Sequence, residues 1–282
     1  MNPNTGLLID LLTANGIQVG VVTNGYYINE YLESLSKCTW VGVSVDAGTE
    51  KTFNKLKGLP EEADNFSIIL DNIRMLKNFS EKNRTLLSKN HPAYGISYKF
   101  LLSNENIYEV YKAALIAKEI GCKNFHLRPS STPWNILNTA NEVVFTEDEI
   151  KVYNGQIEKA LKLDDEIFNV YGVTHKFDGQ FKRCNKFENC YAVFMTGVFM
   201  PSKEEGKIDF GLCCDRRGDE RLLLACGISK LSNIKDLWGS KKHWEIFDNI
   251  KVKSQCPRCT YQPHNQIYEQ VILKDSMTYI FI

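Results

Sequence analysis

Apolar residues change their spacing repeatedly along the first 130 residues of this sequence. Leucines recur at helical spacing over 5–15, which predicts a helix, and 17–22 is a short β-branched run typical of a strand buried on both faces. The same alternation continues to residue 129. We predict further strands at 39–45, 93–102 and 124–129, helices at 27–35, 50–57, 63–78 and 107–120, and a surface loop at 79–91.

Strands and helices that alternate at this spacing predict a parallel α/β sheet, either a barrel or an open doubly wound fold. In both folds ligands collect at the carboxyl ends of the strands. Polar residues stand at four of these predicted ends: Asn24, Ser44 with Asp46, Lys99, and His126 with Arg128. Each residue type also suits a turn or a helix cap, so both interpretations stay open for each position. Strand alternation predicts that Ser44 and Asp46 point the same way.

The pattern changes after residue 145. Thr146 and Glu149 match a capping box and predict a helix that starts at 147. Further on, 192–200 and 208–213 predict a β-hairpin, and 236–250 predicts a helix. The hairpin would bring distant cysteines to one end of a small domain.

Seven of the nine cysteines lie from Cys184 onward. Cys256 and Cys259 form a CxxC pair around a proline, which is half of a four-thiolate metal site. Candidates for the other half are Cys184, Cys190, Cys213, Cys214 and Cys226. An isolated CxxC pair would suit ordinary thiols equally well, but the surplus of nearby cysteines favours a metal.

Charge and hydropathy exclude several function classes. The 282 residues contain 34 basic and 34 acidic residues, so no net charge attracts nucleic acid or an anionic membrane. No apolar stretch reaches the length of a membrane span, and the first residues lack a signal-peptide pattern. We therefore expect a cytoplasmic protein without nucleic-acid or membrane partners, in which the cysteines are not disulfide-bonded.

Together these features resemble a radical S-adenosylmethionine (SAM) enzyme with a C-terminal SPASM or twitch domain. The carriers of the resemblance are Val22-Thr23-Asn24-Gly25, the segment 43–47, the segment 121–129, the hairpin end 211–218, Leu237-Trp238-Gly239 and the Cys256–Cys259 pair. The resemblance implies an α/β fold with a partial (β/α)6 barrel at 1–145, a helical linker at 146–180 and a small cysteine-rich α+β domain at 181–282.

The resemblance also implies two cofactors. SAM would lie near Asn24, Ser44, Asp46, Lys99 and Arg128, with Lys99 near its carboxylate. An auxiliary [4Fe-4S] cluster would be held by Cys190, Cys213, Cys256 and Cys259, with Cys184 and Cys214 as alternatives to Cys190 and Cys213.

One family motif is missing from the sequence. The CxxxCxxC that holds the SAM-reducing cluster does not occur, so we expect a chain that begins inside the barrel, as a fragment or a short form lacking the first strands. In complete form it would cleave SAM to a 5′-deoxyadenosyl radical and take hydrogen from a peptide or small-molecule substrate, with an electron-donor protein as partner. Catalytic residues are not assigned.

Two alternatives remain. The chain could be a non-catalytic binding module stabilised by zinc or an iron–sulfur cluster, or a binding partner that has lost its active half.

Overall fold

The chain folds into two compact units, Met1–Phe177 and Asp178–Ile282. The structure is a computed structural model that describes residues 3–130, 145–172, 188–214, 216–229, 234–256, 259 and 261–274. The predicted linker 146–180 thus falls largely in the first unit, because the helix and strand that it contains pack against that unit's elements.

The first unit is built on a parallel sheet of five strands that are adjacent in the order of the sequence. A doubly wound sheet would reverse this order at its switch point, so the unreversed order is that of a barrel segment. The strands are β1 (Gly20–Thr23), β2 (Trp40–Ser44), β3 (Gly95–Leu102), β4 (Asn124–Pro129) and β5 (Asn169–Gly172).

Helices connect these strands and bury one face of the sheet. Val43, Tyr98 and Phe125 of that face are fully buried, together with Ile73 and Leu76. Because strand side chains alternate, burial of these positions leaves the other face to carry the polar residues. The helices are α1 (Thr5–Ala14), α2 (Leu32–Ser36), α3 (Glu50–Lys57), α4 (Asn65–Asn83), α5 (Val110–Glu119) and α6 (Glu147–Leu161), with 3₁₀ turns at Ile28–Tyr31, Leu86–Ser88 and Ile107–Glu109.

Two features of this unit differ from the sequence prediction. Helix α4 extends five residues into the predicted loop and ends where Arg84 adopts φ +49°. Strand β5 was not predicted, since four residues in a polar context carry little periodicity. The capping box of α6 is confirmed: the Thr146 hydroxyl accepts from Glu149 N (3.2 Å), and the Glu149 carboxylate accepts from Thr146 N (2.8 Å).

The second unit contains an antiparallel three-stranded sheet with short helices. Its strands are β6 (Val198–Pro201), β7 (Ile208–Gly211) and β8 (Leu223–Ile228). The helices are α7 (Ile234–Leu237), α8 (Lys241–Asn249), α9 (Val252–Gln255) and α10 (Gln262–Ile267), with 3₁₀ turns at Tyr191–Phe194 and Glu220–Leu222 and a π-turn at Tyr268–Ile272. Each helix in the described part of the chain is too short or too polar to cross a bilayer.

The predicted hairpin is confirmed for β6 and β7, but the prediction of one strand over 192–200 is wrong. Tyr191–Phe194 is a 3₁₀ turn, in which Phe194 stacks on His243 (ring centres 4.4 Å apart). An apolar run can serve either structure, so periodicity could not decide. The predicted helix 236–250 is broken at Gly239, whose φ is +76°.

Candidate functional site

The face of the five-stranded sheet opposite the core carries the candidate site of the first unit. Strand register places Ser44 of β2 beside Lys99 of β3, and Lys99 beside His126 of β4. Arg128 lies two residues beyond His126 on the same face. Four of the residues that the sequence singled out therefore share one surface.

Lys99 lies at the centre of this face. Its Nζ atom is 3.2 Å from Nδ1 of His126 and 4.7 Å from the centre of the Trp40 ring. Burial, followed by the nearby charge of Arg128, lowers the pKa of the Lys99 amine, whereas Asp46 opposes this shift. Within the described residues Lys99 forms no salt bridge. The site thus holds a half-buried amine that no carboxylate among the described residues contacts in an ion pair.

Trp40 supports this lysine, and Gly42 makes room for both side chains. A Cβ atom at Gly42 would lie 2.5 Å from Cη2 of Trp40 and 2.7 Å from Cε of Lys99. The indole and the lysine stem therefore lie flat on the sheet only because residue 42 has no side chain. Sequence reasoning missed Trp40, although alternation along β2 places it on the same face as Ser44.

The loop after β1 carries Asn24, which is exposed. Its side-chain oxygen accepts from Tyr26 N (3.3 Å), as in an Asx turn. Asn72 of α4 fixes the loop, because its buried side-chain amide donates hydrogen bonds to the carbonyls of Gly25 (3.0 Å) and Tyr26 (2.7 Å). Asn72 had no signal in the sequence, since a mid-helix asparagine looks like any surface residue.

Asp46 joins the ends of β2 and β3. It has φ +64°, and its carboxylate accepts from Leu101 N (2.7 Å) and pairs with Lys57 Nζ (2.6 Å). Strand β2 ends at Ser44, so the alternation from which a shared direction with Asp46 was predicted does not extend to it. Both carboxylate oxygens are engaged in holding the edge of the sheet.

In the second unit, two predicted metal ligands meet. Cys190 and Cys259 form a side-chain hydrogen bond, which outweighs the effect of burial and, with Asn265, lowers the pKa of Cys190 to about 7. Asn265 fixes the pair, since its Nδ2 lies 3.7 Å from Cys259 Sγ and its Oδ1 accepts from Ala192 N (3.3 Å). The contact joins two residues that are distant in the sequence.

The other predicted ligands have different neighbours. Cys256 Sγ accepts from Nη1 of the buried Arg216 (3.6 Å), which is ion-paired to Asp219. Sγ of Cys214, the alternative to Cys213, is 3.0 Å from the Tyr261 hydroxyl, and burial and Cys214 together raise the pKa of that phenol.

The four predicted cysteine ligands do not form a ready-made cage. In the part of the chain that the structure describes, no three His, Cys, Asp or Glu side chains are grouped as metal ligands. Cys184, the alternative to Cys190, lies outside the described residues. The set Cys190, Cys213, Cys256 and Cys259 therefore stays a prediction.

The fold of this chain is similar to that of solved SuiB structures. Streptococcus suis SuiB bound to S-adenosylmethionine is 10% identical, with a TM-score of 0.57 over 96% of this chain and 60% of that chain. Another SuiB structure is 11% identical, with a TM-score of 0.53 over 84% and 52%. The chain therefore shares the fold of SuiB over most of its length.

Other comparisons add little. Archaeal TYW1 is 17% identical over 59% of this chain and 45% of that chain, at a TM-score of 0.36 that is too low to argue from. No family model and no curated protein matches the sequence. The chain spans about half the length of these solved structures, 45% to 60% of each.

Proposed function

We propose that this chain is part of a radical SAM protein and binds S-adenosylmethionine on the open face of its five-stranded sheet. The observation that carries the proposal is Lys99: a half-buried cation, without a salt bridge in the described residues, beside Arg128 on a radical SAM fold. A carboxylate is the natural counter-ion for such a pair.

The residues on this face suit the parts of SAM. The methionine carboxylate would lie against Lys99, with Arg128 next to it. Ser44 and the exposed Asn24 would offer hydrogen bonds to the sugar and base. Asp46 would act from the edge of the site, because its carboxylate is already bonded to Leu101 N and Lys57.

Cleavage of bound SAM needs an electron from an iron–sulfur cluster. The CxxxCxxC ligands of such a cluster are not among these 282 residues, so we propose that a cluster supplied from outside this sequence would complete the enzyme. The residues present here would bind SAM, hold its carboxylate and orient it. A peptide or small-molecule substrate would then lose a hydrogen atom.

Calorimetric titration of the 282-residue protein with SAM tests the binding proposal. Replacing Lys99 by Met removes a charged hydrogen bond worth about 1.5–3 kcal/mol, so the expected Kd rises by roughly one to two orders of magnitude. Lys51→Met is the matched control, because Lys51 lies on α3 with its side chain 84% exposed. Absence of binding by the unaltered protein, or equal Kd values for both variants, would contradict the proposal.

A second candidate is a metal-stabilised module, supported by the contact between Cys190 and Cys259. We propose that these cysteines, with Cys256 and Cys213, hold either an auxiliary [4Fe-4S] cluster or zinc. Anaerobic reconstitution followed by elemental analysis distinguishes them: iron with sulfide supports the cluster, and zinc alone supports the structural module. If the Cys256→Ala and Cys259→Ala variants bind as much metal as the unaltered protein, both the cluster and the zinc site are contradicted.

A further inference from the structure

A buried arginine faces one sulfur of the Cys256–Cys259 pair. The side chain of Arg216 is only 5% exposed, and its Nη1 atom donates to Cys256 Sγ over 3.6 Å. Its Nη2 atom is ion-paired to the carboxylate of Asp219. Arginines are rarely buried to this degree, because the charge must be taken out of water. The fold therefore holds a positive charge beside this sulfur despite the desolvation that this requires.

The carboxylate that pairs with Arg216 is shared with a second arginine. Asp219 also accepts from Nε (3.0 Å) and Nη2 (2.9 Å) of the exposed Arg221, which in turn acts electrostatically on Cys256. Two arginines and one aspartate leave one positive charge in excess. A negatively charged group bound through Cys256 would balance it.

The other sulfurs of the proposed ligand set also face hydrogen-bond donors. The backbone N–H groups of Ala192 and Val193 are hydrogen-bonded to Cys190. The Asn265 amide donates to Cys259 Sγ over 3.7 Å. Donors directed at sulfur are what the thiolate ligands of iron–sulfur clusters accept, and soft sulfur ligands suit iron. The chemistry of these donors and sulfurs therefore fits the proposed auxiliary cluster.

We propose that Arg216 is a positioning residue that raises the reduction potential of an auxiliary [4Fe-4S] cluster bound through Cys256. The inference rests on the proposed cluster site. Reduction adds one electron, so the cluster becomes one charge more negative. A buried cation that is hydrogen-bonded to a ligand sulfur stabilises this reduced form more than the oxidised form. Asp219 has the opposite effect, because its carboxylate weakens the field of Arg216 at the sulfur.

The next residue in the chain provides the matched control. Arg217 is exposed and donates from Nε to the Cys214 carbonyl (2.9 Å). Its charge lies in solvent, where water and salt screen it. Two adjacent arginines thus differ in burial and in contact with a sulfur, and only Arg216 should affect the potential strongly.

Redox titration of the anaerobically reconstituted 282-residue protein tests the inference, with dithionite as the electron donor and electron paramagnetic resonance of the reduced cluster as the readout. Arg216→Met should lower the midpoint potential, and Asp219→Asn should raise it. The asparagine keeps the oxygen that accepts from Arg221 N (3.1 Å), so the turn should be preserved. Arg217→Met should leave the potential unchanged.

Opposite shifts distinguish an electrostatic role from a structural one, because a loosened site would change both variants in the same direction. Shifts of Arg216→Met and Asp219→Asn in the same direction would therefore overturn the inference, as would an unchanged potential in Arg216→Met. If Arg216→Met binds no iron, Arg216→Lys and Asp219→Asn decide. The lysine keeps the charge but cannot span Asp219 and Cys256 together, so its potential should fall below that of the unaltered protein, and equal potentials in both variants and the unaltered protein would overturn the inference.

The same preparation separates failure of the inference from failure of the cluster proposal. Absence of iron and sulfide from the unaltered protein refutes the cluster, and the inference with it. A full cluster with equal potentials in all variants refutes only the role of Arg216.

Discussion

Replacing Gly25 by Ala should destabilise the first unit and disturb the loop that carries Asn24. Gly25 has φ +86°, a backbone conformation that costs an alanine roughly 1–2 kcal/mol. Its Cβ atom would also lie 2.6 Å from Cγ1 of Val43 and 2.8 Å from Cγ2 of Ile69, both in the core. Such overpacking costs about 1–3 kcal/mol, so the expected total is roughly 2–5 kcal/mol.

Gly16→Ala is the matched control for this change. Gly16 has φ +74°, but a Cβ atom there meets nothing within 4 Å. It should therefore show only the backbone cost of roughly 1–2 kcal/mol. Hydrogen exchange of peptides that cover β2 and β3 measures the opening free energy of the first unit without contribution from the second.

The difference between the two variants isolates the steric overlap. If Gly25→Ala and Gly16→Ala lower the opening free energy equally, a methyl group at residue 25 does not overlap with Val43 and Ile69, and the steric argument is refuted. We also expect Gly25→Ala to weaken SAM binding more than Gly16→Ala does, because the loop that Asn72 holds would shift.

Three further predictions concern stability. The hydrogen bond from Lys118 lowers the pKa of Asp165 to about 2 from its ordinary 3.8. The stability advantage of the native protein over Asp165→Asn should therefore be full above about pH 4 and be lost as the pH falls through about 2. Thermal melts of both proteins across this pH range measure it. Thr146→Ala should cost about 1 kcal/mol through loss of the α6 capping box, and an unchanged urea midpoint would count against it. His243→Phe should lower the stability of the second unit by about 2–4 kcal/mol, because the buried imidazole accepts from Gly239 N (3.0 Å) and lies 2.8 Å from Val193 O. Rapid hydrogen exchange in peptides from β6–β8 is the expected result, and native protection of these peptides would refute the prediction.

The candidate site was only partly visible in the sequence. Ser44, Lys99 and Arg128 stood out because they are polar residues at the carboxyl ends of apolar strands, where ligands collect in parallel α/β folds. Trp40 and Asn72 did not, because an aromatic residue at the start of a strand and an asparagine within a helix have many ordinary uses. Their roles depend on Gly42 and Gly25, which let distant side chains approach closely.

The cysteines show the same limit. Their crowding toward the carboxyl end predicted a shared site, and the hairpin of β6 and β7 was predictable from its strands and turn. Which sulfurs meet was not predictable, because spacing in sequence says nothing of distance in a small irregular domain. The structure joins Cys190 to Cys259, and places Cys256 beside Arg216.

Hydrophobic periodicity by itself determined the alternation of helices and strands, and hence the parallel sheet, because burial of one face is a local pattern that each segment carries in its own residues. It left barrel and doubly wound folds equally open. Only the tertiary structure decided between them, since strand order is a property of pairing between segments. The same holds for Lys99, whose neighbours Trp40 and His126 come from two other strands, so its environment exists only once the sheet has formed.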